Sequence, residues 1–343
     1  PQANLGIEGV TPISAENRAK LEQTVTLNRR QLAEFHRAAQ MTNAYLEPDI
    51  SPIWNFWMDW NAILLTAWME ATLAVENGDE RASVEGAADL MKFAALLRSL
   101  PAPQAQSICM LALDRTRSLL ERLVFRIDLD REAVERLEVQ AGKIDVPVLE
   151  KSLTVRRTLA AQRLLAGGTD PRMPPLGPAH ATMGAIMNGI GNQQRGFYRF
   201  LKAYREGIEA AGDPAPERLR RAGMLSGEGT AELYGVPPHL MRMYEMHSVF
   251  YDDAAISVRI LVLQAGLAAE RFRQENGRLP ESFSELEMTP IDPFSGEPLK
   301  FQRVENGVKI HGVGADRFDQ LGSGRHGEIV FSLWDRDEGK SRR

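Results

Sequence analysis

The chain has 343 residues, 43% hydrophobic and 25% charged, which is ordinary globular material for one large or two medium domains. With 41 basic against 46 acidic residues, its formal charge of -5 provides no electrostatic footprint for nucleic acid or anionic lipid. A single cysteine, Cys109, rules out an intrachain disulfide and any multi-cysteine metal site. No apolar run reaches the ~18 residues that span a bilayer; the nearest, Ile256 to Ala269, is interrupted by Arg259 and Gln264. The sequence opens on Pro1 rather than methionine, so a signal or anchor segment is expected ahead of it.

From about Ser14 to Gly277 the apolar residues recur at three- and four-residue spacing, which predicts helices almost throughout. The first starts after Pro12 with Ser14 as N-cap, carries Leu21, Val25, Leu32 and Phe35 on one stripe, and ends before the Glu47-Pro48-Asp49 turn. A second, from about Ile53 to Glu76, stops at a left-handed cap on Asn77-Gly78, and a third runs from Glu80 to Leu100. This αα-hairpin, with Ala82, Gly86, Ala87 and Leu90, looks like a degenerate tetratricopeptide-type unit in which small residues allow close helix approach. A fourth helix spans Ala105 to Phe125 and places Cys109 in an apolar run as a buried small hydrophobe. A fifth is capped by Asp130, and a sixth follows Pro147. The Pro/Gly-rich stretches Gly167 to Ala181 and Gly223 to Pro238 read as surface loops long enough to form lids or binding segments. After Pro237-Pro238 a helix of about 38 residues leads to Asn276-Gly277.

Beyond it the pattern changes. Pro280 and Glu281 suit the start of a short helix with Phe283 and Leu286 on one face. Leu299 and Phe301 then alternate with Lys300 and Gln302, Asn306-Gly307 reads as a tight turn with positive backbone angles, and Val308 and Ile310 resume the alternation. Ile329, Phe331 and Leu333 would be the inward face of a third strand. The predicted fold is therefore mainly α: an irregular, loosely tetratricopeptide-like stack of helical hairpins over 1–265, a small α/β module of about three antiparallel strands over 266–337, and a charged tail over 338–343.

The ordered set ENGRLP, DPFSGEPL and GVGAD, within residues Ala268 to Leu333, resembles the C-terminal globular module of type II secretion major pseudopilins. The whole chain is also similar to a group of bacterial proteins with an N-terminal membrane anchor, a mostly helical middle and this cap. That resemblance implies an envelope protein with its body outside the cytoplasmic membrane and no known activity; a protein partner there is expected of the stacked helical surface, with contact to the membrane only through an N-terminal anchor. In a pseudopilin the module follows one processed apolar helix, whereas here more than 200 residues of other helices precede it, so filament assembly is not expected. In the family, aspartates after the second strand hold calcium. Asp316 and Asp319 stand at the matching place, so calcium is the one cofactor the resemblance suggests, with a dissociation constant on the order of 10⁻⁴ to 10⁻³ M. Glu328 and the cationic SGRHG stretch depart from that pattern.

Signatures of catalysis such as HExxH, GxSxG, GxxxxGK[ST] and a strand-to-helix GxGxxG are missing. The six histidines are scattered, and His239 and His247 are too far apart on a helix to chelate one ion. Trp54, Trp57, Trp60 and Trp68, with Phe56, form an aromatic concentration that reads either as core and inter-helix packing or as a groove, with Trp54, Trp57 and Trp60 as its candidates, stacking on sugar or peptide. Asp59 and Glu70 nearby are about 16 Å apart on a helix, beyond glycosidase geometry. Asp252-Asp253 and the clusters Arg156-Arg157 and Arg218 with Arg220-Arg221 read as solvated helix faces. The expectation is a non-catalytic envelope scaffold. The alternatives are a glycan- or small-ligand-binding protein or enzyme acting on cell-wall or extracellular polysaccharide, and an accessory subunit of a secretion machine.

Overall fold

A computed structural model of the chain describes residues 11–42, 53–144, 148–165, 192–225, 246–314 and 329–334. The first helical stretch is broken in two: α1 (Ala15–Leu27) and α2 (Arg29–Ala39) meet at Asn28. There the Asn28 amide N–H is shared between the carbonyls of Thr24 and Val25, and its side chain donates to Thr24 as well, at 2.8 Å. The side chain competes with the backbone ladder and the residue leaves helical geometry, with φ -108 and ψ 18. Leu21 of α1 and Leu32 and Phe35 of α2 are all buried across this corner.

Next come α3 (Ile53–Glu76) and α4 (Glu80–Ser99). Their link is a Schellman cap, in which Gly78 at φ +72 donates to Val75 and Asp79 donates to Ala74. Asp79 then caps α4 by accepting from Ala82 N–H at 3.0 Å. The small-residue contact expected of this hairpin is present, because Gly86 lies directly against Ala71. Pro103 begins α5 (Pro103–Arg126), and Asp130 caps α6 (Arg131–Gly142) through Ala133 N–H at 2.7 Å. The chain continues with α7 (Leu149–Leu165), α8 (Asn192–Ala210), α9 (Ala215–Leu225) and α10 (Met246–Asn276).

Alternate helices touch: α1 packs on α3 and α3 on α5, while α2 packs on α4 and α4 on α6. Such two-layer packing defines a stack of helical hairpins, each covering the apolar face of the next. At its far end α10 lies across α5 and α6, receives α7 and α9 on its flank, and runs on against β2 and β3.

Gly277 at φ +68 stops α10. A 3-10 turn (Phe283–Leu286) follows, then an antiparallel sheet of β1 (Lys300–Val304), β2 (Gly307–Gly312) and β3 (Ile329–Trp334), in that spatial order. Phe301, Ile310 and Phe331 share one register row, as do Val308 and Leu333. Phe331, Leu333, Val308 and Ile310 are fully buried in the same core cluster as Leu263, Leu267 and Leu123 of the helices. The core thus runs without interruption across the expected boundary at 265/266, which falls inside α10.

The hairpin turn departs from the sequence reading. Its central residues are Glu305 and Asn306, and neither Asn306 nor Gly307 has a positive φ. Gly307 pairs with both Val304 and Trp334, and a Cβ there would lie 2.1 Å from the Leu333 carbonyl oxygen. Close backbone approach, not turn geometry, requires the glycine.

Candidate functional site

The most elaborate partly open polar cluster lies where α2, α3 and α4 converge. His36 projects from α2 with Nδ1 2.8 Å from Asp89 of α4 and Nε2 2.8 Å from Glu70 of α3. Asp89 also accepts from Gln40 at 2.9 Å and from Lys92 at 2.9 Å, so two carboxylates are balanced by an imidazolium and an ammonium. Hydrogen bonds to Asp89 and then Glu70 push the His36 pKa up to about 9, against the opposing effect of burial. Asp89 is drawn upward by burial, but the hydrogen bonds from His36 and Lys92 outweigh it and hold its carboxyl below the usual range.

This geometry limits the chemistry. Both ring nitrogens donate to carboxylates, so the imidazolium has no lone pair with which to take a proton or bind a metal. The two carboxylates sit on opposite edges of one ring and cannot close on a single cation. Among the described residues no group of three or more His, Cys, Asp or Glu side chains is placed to hold a metal ion. The cluster acts as an ionic clamp that fixes α2 against the α3–α4 hairpin.

An aromatic series adjoins the clamp. Trp60 stacks on Phe93 with centroids 5.3 Å apart, Phe93 meets Phe35 at 5.2 Å, and Phe35 meets the His36 ring edge-on at 5.5 Å. Trp60 is half-buried and packs on the core. Trp54 and Trp57 belong to the first turns of α3, and their side chains lie outside the described residues. Asp59 is exposed, while Glu70 is committed to His36, so the structure does not bring these two together. Asp316 and Asp319 lie outside the described residues, as do 166–191 and 226–245, which hold nearly all of both Pro/Gly-rich stretches.

A second charged junction corrects the reading of Asp252-Asp253 and of Arg218 as solvated. Asp253 is 6% exposed and is gripped by Arg98 at 2.5 Å and Arg218 at 2.6 Å, drawing α4 and α9 onto α10. Arg98 also donates to Gln106 at 2.9 Å, and Gln106 in turn caps the Leu100 carbonyl at 2.6 Å. Elsewhere Arg259 forks onto Asp114 at 2.9 and 3.1 Å, and Arg122 reaches Glu76 at 2.5 Å and the Thr11 carbonyl at 3.0 Å. Arg273 joins the Trp334 and Val124 carbonyls, each at 3.1 Å. No local pattern announces these partners, which are up to 155 residues apart.

The described part is thus a mainly helical protein, a hairpin stack closed by a small antiparallel sheet. Compared with known proteins, the chain matches no family model, no curated protein and no solved structure.

Proposed function

We propose that this chain is a non-catalytic interaction scaffold of the cell envelope, a helical stack held outside the cytoplasmic membrane that presents a surface to a protein partner. The observation that carries the reading is the alternate-helix packing of α1 to α6, because stacked hairpins expose long helical faces suited to partner helices and peptides. Two further features support it. The interior charges serve as cross-links between helices that are distant in sequence, which stiffens the platform. Of the tryptophan cluster, Trp60 packs on Phe93 and Trp68 is buried, which favours the packing reading of that cluster over a sugar platform. The envelope assignment rests on the pseudopilin-like order of the C-terminal module: a helix, a Gly-Pro break, a one-turn helix, an Asp-Pro loop and an antiparallel sheet.

The test is site-specific photo-crosslinking in cells with the full chain. Crosslinkers would replace exposed Leu27 of α1 and Asp59 of α3, with exposed Val139 of α6 in the opposite layer as the reference. Expected is one abundant protein adduct from Leu27 or Asp59, weaker from Val139, recovered with the envelope fraction. Recovery in the cytoplasmic fraction, or no adduct above the unirradiated background, overturns the proposal.

A further inference from the structure

The two edges of the sheet are finished differently. On β3, Arg117 donates to the Val330 carbonyl and Glu121 accepts from the Ser332 N–H, so side chains of α5 take the place of a neighbouring strand. On β1 only the approach is covered. There the Leu299 N–H donates to the Pro290 carbonyl at 2.8 Å, the Asp292 N–H donates to Glu297 at 2.8 Å, and Ile291 bridges Pro298. Backbone groups alternate in direction along a strand, so the N–H and C=O of Phe301 and Arg303 point the same way as the Leu299 N–H, away from β2. Among the described residues neither has a partner on that side. The open stretch is Lys300–Val304, five residues and about 17 Å long.

Water satisfies an exposed backbone, but the side chains around this one select a more specific occupant. Phe301 is half-buried and meets Phe283 edge-on at 5.2 Å, which leaves an apolar shelf along the stretch. Lys300 and Arg303, on either side of it, are exposed and form no ion pair among the described residues. Glu297 lies beside the covered approach and Glu305 in the hairpin turn, so the open stretch itself carries two cations and no anion. Cations of this kind guard an edge against copies of itself. A second β1 laid antiparallel about Gln302 would set the Arg303 side chains of both copies diagonally across the new seam, a like-charge contact. The same cations favour an acidic strand.

We propose that the free edge of β1 takes up an extended segment of a partner protein as a fourth, antiparallel strand, with acidic side chains opposite Lys300 and Arg303 and an apolar one opposite Phe301. Read along the partner, the motif is acidic, any, apolar, acidic. Main-chain hydrogen bonds with Phe301 and Arg303 supply affinity, and the flanking side chains supply specificity. The edge is separate from the helical faces of the scaffold reading and does not depend on it.

The test uses the full chain and a disulfide-cyclised β-hairpin peptide whose free strand reads VETVE, preorganised to limit the entropy lost on docking. Antiparallel to β1, its glutamates face Arg303 and Lys300 and its second valine faces Phe301. Fluorescence anisotropy should show saturable binding below ~1 mM, with a VKTVK hairpin roughly tenfold weaker. In the double variant Lys300→Glu, Arg303→Glu, changed only at exposed positions, the preference should invert. Amide exchange over 300–304 of the parent should slow when the VETVE hairpin is bound. No saturation by ~1 mM, equal affinity for the two hairpins, or protection away from β1 overturns the proposal. So does a dimer of the free chain that the VETVE hairpin dissociates, which would give the edge to a second copy.

Discussion

Gly86 of α4 lies so close to Ala71 of α3 that a Cβ built on the glycine would stand 2.6 Å from the Ala71 Cβ. The hairpin is closely packed where these two small residues face each other. Gly86→Ala gains roughly 0.5–1 kcal/mol of helix propensity but forces the helices apart, at about 1–3 kcal/mol. A net destabilisation on the order of 1 kcal/mol is expected in urea titrations, and a larger loss for Gly86→Val. An unchanged or higher midpoint for both variants would show that the α3–α4 contact yields freely.

The His36 clamp makes stability depend on pH in a defined direction. Its folded pKa, about 9, lies above the ordinary histidine value of 6.5. The imidazolium therefore contributes fully below pH 6.5, and that contribution is lost as pH rises through about 9. The ring is 38% exposed, so solvent screening reduces the effect to on the order of 1 kcal/mol. Unfolding free energies of the parent and of His36→Gln should differ most at about pH 6 and converge above pH 9. Parallel curves across that range would remove the clamp from the account.

One edge of the sheet is occupied by side chains of α5. Glu121 accepts from the Ser332 N–H at 2.8 Å, and Arg117 donates to the Val330 carbonyl at 2.8 Å. These backbone groups point outward from β3, where a further strand would otherwise pair. Burial pushes the Glu121 pKa up, opposed by Arg117 and the Ser332 N–H. Glu121→Ala should cost about 1–3 kcal/mol and raise self-association in light scattering, whereas Glu121→Gln, which keeps a carbonyl for Ser332, should lose less. Equal losses for both variants would mean that the charge matters and the edge hydrogen bond does not.

Cys109 should be chemically silent in the folded chain. It is fully buried, its thiol faces the Ala94 carbonyl at 3.4 Å, and burial pushes its pKa up to about 12. Labelling by an aromatic disulfide reagent should proceed only through global unfolding and slow as stability rises. Rapid labelling under native conditions would indicate local opening of the α4–α5 contact.

What the sequence discloses here is mostly what is local. Asp79, Asp130, Gly78 and Gly277 mark helix ends because a cap needs only its own few neighbours, and the hairpin stack follows from helices bounded by those caps. The alternation of Ile329, Phe331 and Leu333 likewise names the buried face of β3. The break at Asn28 is hidden because the apolar stripe runs through it and only a side-chain hydrogen bond ends the helix. Gly307 looks like a turn glycine until the third strand is in place to crowd it. The charged junctions are hidden most completely: Asp253 beside Asp252 resembles any solvated helix face, and its partners come from α4 and α9.

Among these features α10 has a mechanical consequence. It carries Asp253 at the Arg98 junction, Gly266 against Phe331 of the sheet and, roughly twenty residues beyond Asp253, Arg273 bonded to the Trp334 carbonyl, a span of about 30 Å on one rigid rod. A helix transmits displacement along its axis far better than a loop does. Any event that loosens the grip on Asp253 would therefore be felt at β3 as a change in lever position.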